Sequence, residues 1–438
     1  MLPRWPRAAL GVLAGCAVLL AGCRSAERPA PSAEPVRPDW RAVNLPVPPG
    51  GSGRLVLRDA VACGGRWFAV GAVADPAGGT RPAAWSSGDG VSWSALPVRG
   101  ETFYGRQHVL YVAACRDGRV AALGAQVGGV HGNPRTGTWS QGPDGALREV
   151  PAAFELFGGP RAVSASRLAA GPGGWLIAGA RVDGAAVWAS PDASGFTLRA
   201  GVPELAGDAR GRTTAYGVVA VGSGWLVVGS VLPAGGAALA PLAWRSADGR
   251  SWRRAVLPAP DGGGRAERVV LFDGTPVAVG PVREGFAVWR AGSVESTSAG
   301  PGERAAAGPG ERAVNGTTPG AGAASGGTVE GWRRVGGFGS VGPGVLSVSG
   351  LVAAGRGLVA VTGDGGGRRV WRSVDGGGSW RPVTAPVAVA GEGDVAVVVP
   401  GGGDTAVAVA AQGNRLVLVA DDGRGARAWW AALAGVDR

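Results

Sequence analysis

The chain is expected to fold as an all-β protein, a seven-bladed β-propeller of four-stranded blades in which an N-terminal strand closes the last blade. Three observations lead there: one hairpin recurs along the chain, a tryptophan marks it at near-regular spacing, and the first strand after the leader reads like the last strand of the repeat. The hairpin stands at 85–93 (WSSGDGVSW), 244–252 (WRSADGRSW) and 371–380 (WRSVDGGGSW), with weaker copies at 139–150 and 188–198. A strand ends on tryptophan, a tight Asp-Gly turn supplies the positive φ that such a connection needs, and a returning strand begins on an aromatic or aliphatic residue. Upstream of it lies a second hairpin, as in 216–229 (YGVVAVGSGWLVVG), whose continuously apolar strands suit burial on both faces. Each unit therefore has four strands.

Taken in order, the chain opens with a leader. Arg4 and Arg7 precede an apolar run of 16 residues ending at Cys23, shorter than the roughly 20 residues that span a bilayer, so 1–22 reads as a signal peptide. The run closes on Leu20-Ala21-Gly22-Cys23, which resembles the lipobox of bacterial lipoproteins. That resemblance implies cleavage before Cys23 and lipidation of its thiol, hence a protein held on the extracytoplasmic side of the cell membrane. Residues 23–38 carry four prolines and little apolar beyond alanine, and read as a semi-rigid tether. The propeller is expected over 39–438.

Its first strand, 39–46 (DWRAVNLP), matches 251–258 (SWRRAVLP), a fourth strand of the repeat. An N-terminal strand that completes the C-terminal unit closes a ring and leaves no open sheet end. The third-strand tryptophans are Trp85, Trp139, Trp188, Trp244, Trp289, Trp371 and Trp429, spaced 45 to 58 residues apart except for the 82 between Trp289 and Trp371. The excess comes from a Gly, Ala, Ser, Pro and Thr-rich run at about 291–330 that contains two copies of GPGERA. Excising it rejoins Trp289-Arg290 to Trp332-Arg333 as a standard hairpin, so it is expected to be a disordered insertion in the turn of the fifth unit.

Ser373, Asp375, Gly377 and Trp380 match the Ser-x-Asp-x-Gly-x-x-Trp pattern of the BNR-repeat, or Asp-box, propellers, and Ser87, Asp89, Trp93 and Ser246, Asp248, Trp252 match it with a turn one residue shorter. The chain resembles that superfamily, which includes sialidases and many non-enzymatic relatives. The resemblance implies a structural role for these residues: the aspartate bonds its own turn and the tryptophan packs between blades. A sialidase would add an Arg-Ile-Pro opening, three convergent arginines, a tyrosine nucleophile with a glutamate partner, and an acid/base aspartate. The one isoleucine is Ile177, and Tyr104, Tyr111 and Tyr216 are the only tyrosines. An exported sialidase-like glycoside hydrolase is the alternative to a binding module, and it would need a carboxylate pair and at least three arginines facing the channel mouth.

All 43 basic residues are arginine, which excludes P-loop and Schiff-base lysine chemistry. Two histidines leave little for a zinc site, and Asp421-Asp422-Gly423 is ordinary turn chemistry; no metal and no cofactor is expected. The net charge of +11 falls to about +9 once Arg4 and Arg7 leave with the leader, a diffuse excess. Outside the cytoplasm this points to a glycan, an anionic cell-wall polymer or a protein partner, not to nucleic acid, and a monomer is expected.

The loops from fourth strand to next blade, and from second strand to third, share one face, the usual ligand face of such rings. Around blade two they bring Tyr104, Arg106, His108, His131 and Arg135 together as the candidate binding patch, with Tyr104 stacking and Arg106 and Arg135 pairing with an anion. Arg81, Arg161, Arg210, Arg212 and Arg283 would extend it as a positive rim. Cys63 and Cys115 end the first strands of adjacent blades; an exported protein would bond them, unless equivalent positions lie beyond the ~7 Å reach of a disulfide.

Overall fold

The computed structural model describes residues 34–126, 134–292, 331–340, 342, 344–389 and 405–433. Cys23, His131 and the run 293–330 lie outside them. Seven sheets are present, six of them built from consecutive strands and the seventh from both ends of the chain. Blade one comprises Arg54–Cys63, Arg66–Ala74, Thr80–Ser87 and Trp93–Ala95, in that order from the inside outward. In blade seven, Arg41–Val43 pairs antiparallel with Ala426–Ala432, placing Arg41 opposite Trp430 and Val43 opposite Ala428. The innermost strands of all neighbouring blades touch in an unbroken cycle, the seventh meeting the first. The ring is a closed seven-bladed β-propeller.

The apolar second strands explain why the blades stack. Gly174–Arg181 is buried along its whole length, because it has a strand on either side and a blade against each face. The core is correspondingly divided into apolar clusters that each lie at a blade interface; that between blades three and four joins Leu176, Val187 and Ala178 to Trp225, Trp244 and Trp252. The third-strand indoles fill these interfaces, with Trp85, Trp139, Trp188, Trp244 and Trp289 at 1% exposure or less.

A buried indole N–H needs an acceptor, and in blades one, three, four and five it comes from the connection entering the blade. Trp85 donates to the carbonyl of Pro46, Trp188 to Leu156, Trp244 to Glu204 and Trp289 to Pro258, at 2.7–2.8 Å. In blade two the acceptor is instead a side chain, His108 Nδ1, 3.2 Å from Trp139 Nε1.

Turns between third and fourth strands are held as local units. The Asp89 carboxylate accepts from the backbone N–H of Val91 and Ser92, Ser87 Oγ accepts from Gly90 N–H, and Trp93 Nε1 donates to the Gly90 carbonyl. Ser246 and Asp248 repeat the pattern, as do Ser373, Asp375 and Trp380, where Gly377 N–H reaches Ser373 Oγ. The N–H groups of Ser92 and Val91 hold Asp89 well below the usual carboxylate range. Gly90, at φ +83°, sits where a side chain would strain the turn.

In blade five, Ala291 pairs with Trp332 and Arg290 with Arg333, so the long run leaves and re-enters between the third and fourth strands. Within the stretch expected as tether, Val36, 3% exposed, packs between blades six and seven and pairs in parallel with Val383, while Trp40 Nε1 donates to the Thr384 carbonyl. Apolar Val36 and Trp40 are what dock this stretch. Cys63 and Cys115 form a disulfide across blades one and two, their Cα atoms 5.9 Å apart.

Candidate binding face

The connection from blade one to blade two is built around one buried carboxylate. Glu149, on the outer strand Leu147–Val150 and 7% exposed, accepts hydrogen bonds from the N–H of Glu101 and Thr102 at 2.8 Å and from Thr102 Oγ1 at 2.6 Å. Thr102 Oγ1 in turn accepts from Gly105 N–H, opening the short 3-10 turn Gly105–Gln107. A Cβ on Gly105 would fall 1.8 Å from Glu149 Oε2, so a larger residue there would push the carboxylate off its hydrogen bonds. Below this loop His108 is 2% exposed; burial pushes its imidazole down to about 4, opposed by the nearby Glu149 charge. His108 is therefore part of the core and presents nothing to a ligand, a correction to its expected place in the patch, made because blade two uses it to satisfy Trp139.

Tyr104 and Arg135 do come together. The Arg135 guanidinium lies 5.1 Å from the Tyr104 ring centroid and 4.5 Å from that of Phe154, while Phe103 meets Tyr104 edge-on at 5.3 Å. Phe103 is 66% exposed, Phe154 51% and Tyr104 37%, a solvent-facing aromatic platform with a cation in its middle. Phe154 opens the helical turn Phe154–Phe157 in the next inter-blade connection; single aromatics in loops carry no signal in sequence, so its part was not foreseen. Arg106, on the same loop as Tyr104, donates to the Glu101 carbonyl and turns toward a cavity of about 670 Å³ lined also by Pro48, Pro49, Arg81, Pro82, Leu96, Pro97, Val98 and Arg99. Val98 and Arg99 add a fifth, parallel strand to blade two, opposite Leu147 and Arg148.

The expected positive rim is interrupted. Arg161 is paired with Asp183, and Arg210 with Asp208 at 2.5 Å and Glu204 at 3.3 Å; Arg210 holds Asp208 down to about 2. These carboxylates lie on neighbouring loop segments and cancel the charge. Arg212 and Arg283 are exposed, and neither lines the cavity.

A second set of charges that sequence spacing does not reveal lies between the blades. Five inner strands carry a β-bulge at Arg58, Tyr111, Ser166, Tyr216 or Ser349, which locally re-aims side chains. Asp59 accepts from Ala60 and Ala113 N–H and pairs with Arg167 at 3.1 Å. Asp421, fully buried, takes Arg54 and Arg58 at 2.9 and 2.7 Å. Glu267 takes Arg265 at 2.6 Å and Val348 N–H. Tyr111 donates to the Ala165 carbonyl, and burial raises its hydroxyl above the usual range. Burial, and next the Arg167 charge, lower Arg268 to about 10. These groups bridge blade to blade: each carboxylate is bound by N–H groups or guanidinium from another part of the ring or from its own strand. Asp421, read as a turn residue, is the buried partner of two arginines.

No protein-family model and no curated protein matches the chain. Among solved structures it is similar to a Hadza microbial sialidase at 10% identity, covering 87% of this chain and 66% of that one with a TM-score of 0.41. It is also similar to an α-L-arabinofuranosidase from Fusarium graminearum, at 12% identity over 78% of this chain and 98% of that one (TM-score 0.43). The β-propeller domain of the Trilobed protease from Pyrococcus furiosus gives 9% identity, 89% and 98% coverage and a TM-score of 0.44. Likenesses at this level carry no argument about activity.

Proposed function

We propose that the chain is a membrane-anchored, extracytoplasmic β-propeller whose blade-two face binds a glycan or an anionic cell-wall polymer. One observation carries this reading: Arg135 is held between Tyr104 and Phe154 on an exposed aromatic platform. Sugar rings stack their C–H faces on such rings, and a guanidinium fixed among them pairs with an anionic substituent. The Ser–Asp–Trp turns support membership of the BNR-repeat propellers with those residues in structural roles, and the leader ending at Cys23 supports anchoring by a lipid. Engagement of Asp59, Glu267 and Asp421 in inter-blade bonds favours binding over hydrolysis.

The test is a glycan and cell-wall polymer array on the full chain, run beside fluorogenic sialosides and glycosides. Binding without turnover, weakened about tenfold in Arg135→Ala or Phe154→Ala, is the expected result. Turnover of any glycoside would sink the reading and turn attention to the channel.

A further inference from the structure

We propose that the cavity at the junction of blades one and two is a phosphoryl-binding site in which Arg81, Arg99 and Arg106 hold the anion. It deepens the binding reading by naming a charged group and its place, and it stands beside the aromatic platform without using it.

The argument begins with partners. On this face Arg161, Arg210 and Arg254 are matched by Asp183, Asp208 and Glu204. The three cavity arginines have no carboxylate within ion-pair distance among the described residues. Arg81 donates to the carbonyls of Pro48, Pro49 and Gly51, and Arg106 to that of Glu101. These bonds orient the guanidinium groups and leave their charge uncancelled, so little side-chain freedom remains to be lost on binding. Arg99 is placed by the backbone pairing of its strand with Arg148. Asp144, which feels the Arg99 charge, is already clamped by Arg148 through two hydrogen bonds of 2.7 and 2.5 Å.

The walls decide what kind of anion fits. Prolines with Leu96 and Val98 line the space between the arginines, and low-polarity walls strengthen each charge inside. Several guanidinium groups lining one cavity match a phosphoryl group, whose tetrahedrally arranged oxygens accept from donors on several sides at once; a carboxylate presents two oxygens in one plane. At about 670 Å³ the cavity exceeds a bare phosphate, leaving room for a sugar or polyol attached to it. A phosphate-bearing polymer and a phospholipid headgroup share this chemistry.

The experiment titrates inorganic phosphate, and acetate at matched ionic strength, into the full chain by calorimetry. Phosphate is expected to bind, acetate about tenfold more weakly, and R99Q/R106Q to lose about tenfold in phosphate affinity with an unchanged melting temperature. Arg161→Gln and Phe154→Ala are expected to leave phosphate affinity alone, so a failed platform and a failed cavity give different results. No phosphate binding, equal binding of acetate, or an unaffected R99Q/R106Q would overturn the proposal. Vesicles of phosphatidylglycerol that capture the chain and are competed by phosphate would make the source a headgroup; phosphate binding without such capture would make it a polymer or soluble phosphate ester.

Discussion

Two stretches of the same face use arginine in opposite ways. Around blades three and four, Arg161, Arg210 and Arg254 lie against Asp183, Asp208 and Glu204, and the charge is spent in the surface itself. Around blades one and two, Arg81 and Arg106 are held by carbonyls and Arg135 by aromatic rings, so their charge is kept. The count of arginines is similar; the identity of the neighbour decides whether the surface repels, ignores or attracts an anion. The same contrast runs beneath the loops, where Trp244 bonds a backbone carbonyl that does not titrate and Trp139 bonds an imidazole that does.

That last difference gives the largest expected effect. Below about 6.5 the unfolded chain takes a proton at His108 that the folded chain refuses until about 4, so the unfolded state binds more protons in this window. Stability is full above 6.5 and falls as pH drops toward 4, by about 3 kcal/mol from this group. Hydrogen exchange should show blade two opening first in acid, and a His108→Leu variant should flatten the dependence; equal acid sensitivity in blades two and four would break the contrast.

Next is Glu149. Its removal in Glu149→Ala strands the N–H groups of Glu101 and Thr102 and should cost about 2–3 kcal/mol in urea denaturation. It should also abolish binding by Tyr104 and Arg106 together, whereas Asp183→Ala on the exposed rim should cost under about 1 kcal/mol. Comparable losses would mean that the blade-two loop is no better ordered than its neighbours.

The smallest effect is the most pointed. Asp183→Asn, Glu204→Gln and Asp208→Asn combined should release the paired arginines and raise phosphate affinity at blades three and four by only a few-fold, about 0.5–1 kcal/mol, since no cavity concentrates the charge there. A site as strong as that at blades one and two would show that unpaired arginine alone suffices, and that the proline-lined walls contribute nothing.

The repeat was legible because its signals are local. The Ser–Asp turn closes within a few residues, and Trp85, Trp188, Trp244 and Trp289 announce their strands one by one. Even ring closure could be read, since Asp39 to Pro46 carries the pattern of a fourth strand and Arg41–Val43 pairs where that pattern requires. Tyr104 and Arg135 could be brought to one place by counting loops around a ring. Their third partner Phe154, the clamp Glu149 and the buried role of His108 could not, because each depends on which side chain happens to reach across a blade boundary.

By itself, then, the sequence determined the blade count, the closing strand, the position of the long run in blade five and the face on which loops gather, all properties of short-range turn chemistry and alternation of buried strands. Only the tertiary structure decided which arginines are neutral in effect and which are not. Asp59 meets Arg167 from two blades away and Arg54 meets Asp421 from the far end of the chain. A charge acts through whatever lies within a few ångströms of it, and in a closed ring that neighbour is set by the circle of blades and not by distance along the chain.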